Sequence, residues 1–203
     1  MNQPVPHLLT RVSVVDHVLG PHGAPVTVVE YGDFECPRCR QAASAVKLLL
    51  AHFDQRVRFV FRHFPLEETH ASALAAAEAA ECAGAQGKFW PMHELLFDQQ
   101  LHLGLTHIFD LARSLDLDMV RFTAEMNDHA HLQRVREDQR SGEYSGVRAT
   151  PTFFINGRIL DVSYAMRSLS DAVDSALRRV VADKLPAAET PVQAAPSTSS
   201  FHR

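Results

Sequence analysis

The sequence predicts an α/β domain, and this prediction rests on the order of the strands and helices. A β-branched run over residues 26–31 leads through a Gly-containing turn into two cysteines, and a helical pattern begins at Arg40. Alternating apolar and basic residues over 57–63 predict a second strand, and a strand, helix and strand in this order form a right-handed parallel unit. A strand hairpin and a last helix follow only after a helical stretch of roughly 80 residues, which we place inside the same domain.

Length and composition are those of an ordinary globular chain. The 203 residues are enough for one well-cored domain with an insertion. The chain is 46% hydrophobic and 22% charged with a net charge of −4, a balance that suggests neither a nucleic-acid partner nor an anionic membrane. No apolar run approaches the ~20 residues of a membrane span.

The first seven residues contain neither a basic segment nor a long apolar one, so they do not look like a secretory signal. Taken as the native start, this N-terminus predicts a cytoplasmic protein. In that compartment structural disulfides are rare and CxxC pairs are mostly catalytic or metal-binding. The alternative is an exported protein whose mature chain has received a new initiating Met by cloning.

Changes in composition divide the chain into three parts. Residues 1–11 show no periodicity and are expected to form a loose arm. Residues 12–184 are expected to form the folded domain, with the helical insertion at about 67–145. Residues 185–203 are rich in Ala, Pro, Thr and Ser and predict a disordered tail.

The boundaries of the elements follow from hydrophobic periodicity and from Gly, Pro, Asn and Ser signals. In chain order the predicted elements are an edge strand over 12–15, a turn over 20–23, the central strand over 26–31, a helix over 40–53, a strand over 57–63, helices over 67–85, 89–100, 106–115, about 116–127 and 129–144, a strand over 153–155, and a last helix capped by Ser168 or Ser170. Thr106 is the expected cap of one inserted helix, and Asp116 or Asp118 opens the next. Asn156-Gly157 predicts a tight hairpin, with the return strand starting at Ile159.

The cysteine pair in Cys36-Pro37-Arg38-Cys39 predicts a redox centre. Cys36 comes directly after the strand, at the first turn of a helix, where free backbone N–H groups and the helix dipole stabilise a thiolate. Pro37 suits the first helical turn, where its missing N–H costs nothing, and Arg38 adds a positive charge. Cys39 lies three residues on, within reach of a disulfide.

Two other interpretations of the pair are half of a zinc site and an incidental pair. Zinc needs two further ligands at suitable spacing, and Cys82 is the one remaining cysteine. The strand before the pair and the helix after it favour the redox interpretation, with no metal and no cofactor. Cys82 itself is interpreted as a small buried core residue, with a second redox thiol or a glutathione site as the alternative.

Four segments in order resemble the DsbA-like branch of the thioredoxin superfamily. They are Val28-Val29-Glu30-Tyr31-Gly32-Asp33-Phe34-Glu35-Cys36-Pro37-Arg38-Cys39, then Phe61-Arg62-His63-Phe64-Pro65-Leu66, then Gln86-Gly87-Lys88-Phe89-Trp90-Pro91-Met92-His93-Glu94-Leu95-Leu96-Phe97, and Gly146-Val147-Arg148-Ala149-Thr150-Pro151-Thr152-Phe153-Phe154-Ile155-Asn156-Gly157. The resemblance covers about residues 10–182. It implies a thioredoxin-like fold with an inserted helical block.

The resemblance agrees with Cys36 as the nucleophile and Cys39 as the thiol that resolves the mixed disulfide. It also implies that Glu30 is a buried carboxyl group under the active site, which accepts or donates a proton for the resolving cysteine. The alternative for Glu30 is an exposed glutamate at a strand end.

The resemblance further implies a cis peptide bond between Thr150 and Pro151, which together pack over the cysteine pair. The backbone of Thr150 would then pair with a bound substrate strand. An ordinary edge turn is the alternative. Pro37 and Arg38 would set the redox poise, whereas a solvated surface charge is the alternative for Arg38.

The function that these residues predict is thiol–disulfide exchange with protein or small-molecule clients, in a direction left open. The expected partners are client polypeptides or small disulfides and a redox recycling partner, without nucleic acid or a membrane span. A thioredoxin-like binding module, whose CxxC holds a metal or whose groove only binds peptide, is the alternative. The side chains of His63 and His93, and of Phe89, Trp90, Met92 and Phe97, are expected to be structural.

Overall fold

A computed structural model describes residues 7–160 and 167–184. Within them one mixed sheet has the strand order β1-β3-β2-β4-β5, with β2 and β3 parallel and the other pairs antiparallel. The strands are β1 (His17–Leu19), β2 (Val26–Gly32), β3 (Val57–His63), β4 (Thr152–Ile155) and β5 (Arg158–Leu160). The central position of β2 agrees with its β-branched, apolar sequence, since a central strand is covered on both faces.

The parallel connection between β2 and β3 is made by α1 (Pro37–Phe53), as predicted. This helix begins three residues earlier than its apolar periodicity suggested, because Pro37 occupies its first turn. Its buried face consists of Cys39, Ala42, Val46, Leu49 and Phe53, at spacings of three and four residues. The last helix, α7 (Arg167–Lys184), packs against β2 and β4.

Five helices lie between β3 and β4 and form the predicted helical block. They are α2 (Ala73–Gly84), α3 (Phe89–Asp98), α4 (Leu105–Ser114), α5 (Met119–Asn127) and α6 (Leu132–Tyr144). Short 3₁₀ turns follow α1 at Asp54–Arg56 and α3 at Gln100–His102. The alanine-rich α2 contacts α3, α4, α5 and α6, since small side chains allow neighbouring helices to approach closely.

Two clusters of apolar side chains cover the sheet. The larger includes Val28, Phe59 and Phe61 together with side chains from α1, the helical block and α7. The smaller includes Val29, Tyr31, Val60, Phe64, Val147 and Phe154. Neighbouring strand residues therefore contribute to opposite faces, as the two-residue period of a strand requires. None of the helices among the described residues combines the length and apolar composition that crossing a membrane would need.

The edge strand predicted over residues 12–15 is wrong. Val14 is 99% and Val15 is 63% exposed, and the strand that pairs with β3 begins at His17 instead. The cause is Asp16, whose carboxylate accepts the backbone N–H of Ser13 and pairs with the buried guanidinium of Arg62. These contacts hold the preceding valines in a turn outside the sheet.

Residues 7–11, expected to belong to a loose arm, are hydrogen-bonded to the domain. The N–H of Leu8 donates to the carbonyl oxygen of Gly157, and the N–H of Leu9 donates to Ser145 Oγ. The carbonyl oxygens of Thr10 and Arg11 accept hydrogen bonds from Arg62. The rest of the arm, residues 1–6, and the predicted disordered tail lie outside the described residues.

Several helix starts differ from the predicted ones by a few residues. The helix expected from residue 67 begins at Ala73, because the backbone N–H groups of Thr69 and His70 both donate to the carbonyl oxygen of Leu66 and form a turn. The helix predicted to be capped by Thr106 is instead preceded by Gly104.

Two predictions about caps and turns are confirmed. Asp118, one of the two proposed openers, caps α5 by accepting the N–H groups of Val120 and Arg121. Asn156 and Gly157, with φ of 46° and 81°, join β4 to β5 in the predicted hairpin. The last helix is described from Arg167 onward, so the proposed caps Ser168 and Ser170 lie inside it.

Candidate active site

The CxxC segment lies where β2 meets α1. After the strand ends at Gly32, the chain turns, and the N–H of Cys36 donates to the carbonyl oxygen of Asp33 at 3.1 Å. Cys36 has extended backbone angles and is the N-cap residue of α1, with Pro37 in the first turn. Its side chain is therefore beside the free N–H groups of the helix N-terminus.

The environment of Cys36 favours the thiolate and lowers the pKa of this group to about 5. The largest cause is a hydrogen bond from the Cys39 side chain; burial acts in the opposite direction, and Thr150 and the backbone N–H groups of Cys39 and Arg38 lower the pKa further. The thiol also lies 3.3 Å from the carbonyl oxygen of Thr150. The buried hydroxyl of Thr150 has no hydrogen-bond partner among the described residues.

Cys39 has the opposite character. It is 0% exposed, against 6% for Cys36, and the backbone N–H of Asp33 lies 3.5 Å from its sulfur. Burial, the hydrogen bond to Cys36 and the negative charge of Glu30 raise the pKa of the Cys39 thiol well above its ordinary value. Both cysteines are free thiols in this structure. The pair is thus asymmetric, with an activated sulfur and a protonated, shielded one.

Glu30 is buried, at 1% exposure, so the alternative of an exposed strand-end glutamate does not hold. Its Oε1 has no hydrogen-bond partner among the described residues. Burial, with a smaller contribution from the charge of Cys36, raises the pKa of this carboxyl group to about 8. A Cβ atom on Gly32 would lie 3.2 Å from this oxygen and 2.5 Å from the ring of Phe61, so only glycine fits beside the carboxyl group.

The segment before β4 brings Thr150 to Cys36. The peptide bond between Thr150 and Pro151 is cis, and both residues are buried. β4 is the antiparallel neighbour of β2, which ends at the cysteine segment. Pro37 and Arg38, the residues between the cysteines, are exposed.

The site contains polar residues that the sequence analysis missed. Asp33 is 2% exposed, and its carboxylate accepts the backbone N–H groups of Glu35 and Leu66 and pairs with Nδ1 of His70 at 2.8 Å. Burial lowers the pKa of His70, but the hydrogen bond to Asp33 and the negative charges of Asp33, Cys36 and Glu35 outweigh it and raise the pKa. The sequence did contain a signal for Asp33. An Asp in a Gly-containing turn often accepts the N–H group of a residue close behind it, which here is Glu35.

Gln100 was also missed. It lies in the turn after α3, and its side-chain amide donates to the carbonyl oxygens of Phe34 and Cys36. The helical block therefore holds the backbone of the cysteine segment directly.

Residues outside the cysteine segment behave as structural groups. His63 pairs with Glu81, and His93 is enclosed by aromatic rings, where burial and nearby positive charges lower its pKa to about 3. Phe89, Met92 and Phe97 are core residues, and Trp90 packs against them. Cys82 is fully buried on α2, and burial followed by the charges of Glu125, Glu78 and Glu81 raises its pKa to about 12. Among the described residues neither Cys36 nor Cys39 belongs to a group of three metal-ligating side chains.

Comparison with known proteins matches this chain to a family model and to part of a group of longer proteins. A family model described as Thioredoxin matches residues 13–175. Among curated proteins, Na(+)/H(+) antiporter NhaA 1 of Salinispora arenicola is 51% identical over 161 residues, which are 79% of this chain and 24% of that protein. The chain spans about a quarter of the length of the curated relatives it matches.

Solved structures with the same architecture include two oxidoreductases. A thioredoxin-like oxidoreductase from Silicibacter pomeroyi has a TM-score of 0.73 at 29% identity, covering 82% of this chain and 94% of that one. Pseudomonas aeruginosa DsbA2 has a TM-score of 0.68 at 26% identity, covering 87% of this chain and 100% of that one.

The predicted cytoplasmic location is wrong in the light of this comparison. One of these solved neighbours is a DsbA protein, and DsbA works in the bacterial periplasm, where disulfides form and persist. The composition of the first seven residues is therefore no guide to the compartment.

Proposed function

Because this chain belongs to the thioredoxin family and is similar to solved structures of the DsbA type, we propose that it is a thiol–disulfide oxidoreductase in which Cys36 and Cys39 exchange disulfides with extended polypeptide clients. The observation that carries the proposal is the opposite behaviour of the two thiols. Cys36 is activated at a helix N-terminus, whereas Cys39 is buried and protonated. An attacking sulfur and a resolving sulfur need these properties.

The preferred direction is oxidation of the client. A low pKa for Cys36 stabilises the reduced form of the pair, so the oxidised pair is the stronger oxidant, as in DsbA. A client thiolate attacks the Cys36 sulfur of the Cys36–Cys39 disulfide and forms a mixed disulfide, and Cys39 leaves with the electron pair of the broken bond. A second client thiolate then attacks the client sulfur of the mixed disulfide and releases Cys36 as a thiolate.

Glu30 supplies the proton in this direction. The departing Cys39 sulfur is buried, where a thiolate is costly, and its thiol pKa is raised by the charge of Glu30 among other causes. A protonated Glu30 gives its proton to Cys39 and becomes a carboxylate, which later recovers a proton from solvent. In the reverse direction the carboxylate accepts the proton from Cys39 before this thiol attacks.

Two features beside Cys36 suit an extended polypeptide. The backbone of Thr150 lies next to the Cys36 sulfur, in the segment that leads into β4, where a client strand could add its own backbone hydrogen bonds. Leu101 is 78% exposed and directly follows Gln100, which donates a hydrogen bond to the carbonyl oxygen of Cys36. This apolar surface favours unfolded clients, whose core side chains are still exposed.

Oxidation of a client leaves both cysteines reduced, so a recycling partner must remove two electrons and restore the disulfide. We place this partner at the same sulfur, Cys36, because Cys39 is inaccessible.

The test uses a reduced, unfolded polypeptide with two thiols as client and the oxidised full chain as reagent. The wild type should form the client disulfide in stoichiometric amounts. In the opposite direction, with an oxidised client, Cys39→Ser should accumulate a mixed disulfide through Cys36, and Cys36→Ser should form none. Cys82→Ala is the control and should behave like the wild type. Mixed disulfides through Cys39, or exchange by Cys36→Ser, would reverse or remove these roles.

A further inference from the structure

A second group of potential metal ligands lies in the helical block, outside the cysteine segment. It consists of the thiol of Cys82 on α2, the carboxylate of Glu125 on α5 and the imidazole of His131, directly before α6. One ligand atom from each side chain lies within 4.8 Å of the others. Cys82 is buried, whereas Glu125 and His131 are half-buried, so the group can be reached from solvent on one side.

The geometry of the two half-buried ligands suits a small tetrahedral ion. His131 Nε2 lies 3.3 Å from Glu125 Oε2, which is long for an imidazole–carboxylate hydrogen bond. With metal–ligand bonds of about 2.0–2.2 Å, two ligand atoms of a tetrahedral site are separated by about 3.4 Å. With ligand atoms at most 4.8 Å apart, the Cys82 sulfur would have to approach the other two ligands by at most about 1 Å.

Two further charged side chains lie close to these ligands. Arg121 donates from Nε to Glu125 Oε1 at 2.7 Å, which leaves Oε2 facing His131. Glu78 lies one turn before Cys82 on the same helix and is almost fully buried, with its carboxylate held by His129. A hydrogen bond that orients a ligand, as the one from Arg121 orients Glu125, is a regular part of metal sites.

We propose that Cys82, Glu125 and His131 form a binding site for a zinc-type divalent cation, with the fourth position left to water. A thiolate, an imidazole and a carboxylate are the donors that Zn²⁺ takes in proteins, and the mixed set favours it over Mg²⁺ or Ca²⁺. On binding, the Cys82 thiol loses its proton to solvent as the sulfur–metal bond forms, and no electron is transferred. The site would join α2, α5 and the start of α6, and would use the cysteine that thiol exchange does not need.

The experiment uses the full chain carrying Cys36→Ser and Cys39→Ser, in which Cys82 is the single thiol. Zinc is titrated against a chromophoric chelator, and Co²⁺ is added separately as a spectroscopic probe. We expect one zinc per chain and a thiolate-to-cobalt charge-transfer band in the near ultraviolet. Adding Cys82→Ala should remove the band, while Glu125→Gln and His131→Ala should weaken zinc binding by more than about tenfold.

His52→Ala, at an exposed histidine near the end of α1, is the matched control and should bind zinc like the parent. Circular dichroism establishes that each variant is folded, and Glu125→Gln keeps the shape of the side chain. Absence of the charge-transfer band, or zinc affinity unchanged in both Glu125→Gln and His131→Ala, would overturn the proposal.

Discussion

The side-chain amide of Gln100 donates a hydrogen bond to the carbonyl oxygen of Cys36 at 3.0 Å, and a second one to the carbonyl oxygen of Phe34 at 2.7 Å. The inserted helical block is therefore bonded to the backbone on which the reactive sulfur stands. The Cys36 carbonyl oxygen also accepts N–H groups of α1, so Gln100 matters most for Phe34. A buried carbonyl oxygen that loses its partner costs about 1–3 kcal/mol.

We therefore expect Gln100→Ala to lower the free energy of unfolding by about 1–3 kcal/mol. Gln99→Ala is the matched control, because Gln99 is the exposed neighbour of the same residue type. Urea denaturation followed by circular dichroism compares the two variants with the wild type. Equal stability of Gln100→Ala and Gln99→Ala would show that this bond does not hold the cysteine segment.

Cys82→Ala should leave the rate of disulfide exchange nearly unchanged. The thiol is fully buried, and its raised pKa keeps it protonated at neutral pH, so it is a poor nucleophile. The substitution removes one buried sulfur atom, so a moderate loss of stability is expected. Turnover with a model client is the measurement. A large loss of activity in a folded Cys82→Ala protein would make Cys82 a participating thiol.

The junction that carries Cys36 could be predicted because its determinants are adjacent in the chain. A β-branched strand, a glycine turn and a proline in the first helical turn are local signals, and the structure has Cys36 at the N-cap of α1. The hairpin at Asn156 and Gly157 is local in the same sense, since both residues have positive φ. Local patterns of this kind do not depend on the rest of the fold.

The support around the pair could not be predicted in this way. His70 is 37 residues from Asp33, and Gln100 is 64 residues from Cys36, so no spacing rule links them. The wrong edge strand has a related cause. The valines before Asp16 fit a strand by propensity, but a buried ion pair with Arg62 decides their conformation. Burial of Glu30 likewise depends on side chains from other elements.

His70→Asn should raise the pKa of the Cys36 thiol and make the oxidised pair a weaker oxidant. The imidazole is held beside the site by Asp33, and its raised pKa means that it carries a positive charge over a wider pH range, which favours the thiolate. Thiolate absorbance against pH gives the pKa of Cys36, and equilibration with glutathione gives the redox potential of the Cys36–Cys39 pair. His22→Asn, at an exposed histidine, is the control. An unchanged Cys36 pKa in His70→Asn would show that His70 does not influence the redox chemistry.

The same substitution predicts a pH-dependent change in stability. The pKa of His70 is higher in the folded chain than its ordinary value of 6.5, so the folded state holds the proton more tightly. The stabilisation is fully present below pH 6.5 and is lost as the pH rises through the folded value. The difference in melting temperature between wild type and His70→Asn should therefore shrink from pH 6 to pH 8. A difference in melting temperature that grows with pH would contradict this prediction.

Glu30→Gln should stabilise the reduced protein, and increasingly so as the pH rises. The pKa of Glu30 is about 8 in the folded chain against an ordinary value of 4.5. Between these values the folded chain holds a proton that the unfolded chain has lost, so wild-type stability falls as the pH rises. The neutral amide has no such dependence. The gap in unfolding free energy should widen by up to about 1.4 kcal/mol per pH unit across this window.

The rate at which the wild type resolves a mixed disulfide should rise with pH, whereas its stability falls. In the reverse direction Cys39 must lose its proton before it attacks, and the Glu30 carboxylate that accepts it becomes abundant only near pH 8. Resolution of a mixed disulfide by the wild type should therefore accelerate up to that pH, and Glu30→Gln should lack this rise. Glu68→Gln, an exposed carboxyl group, is the control for both measurements. A Glu30→Gln protein that resolves at the wild-type rate at every pH would remove the carboxyl group from the mechanism and leave the roles of Cys36 and Cys39 untouched.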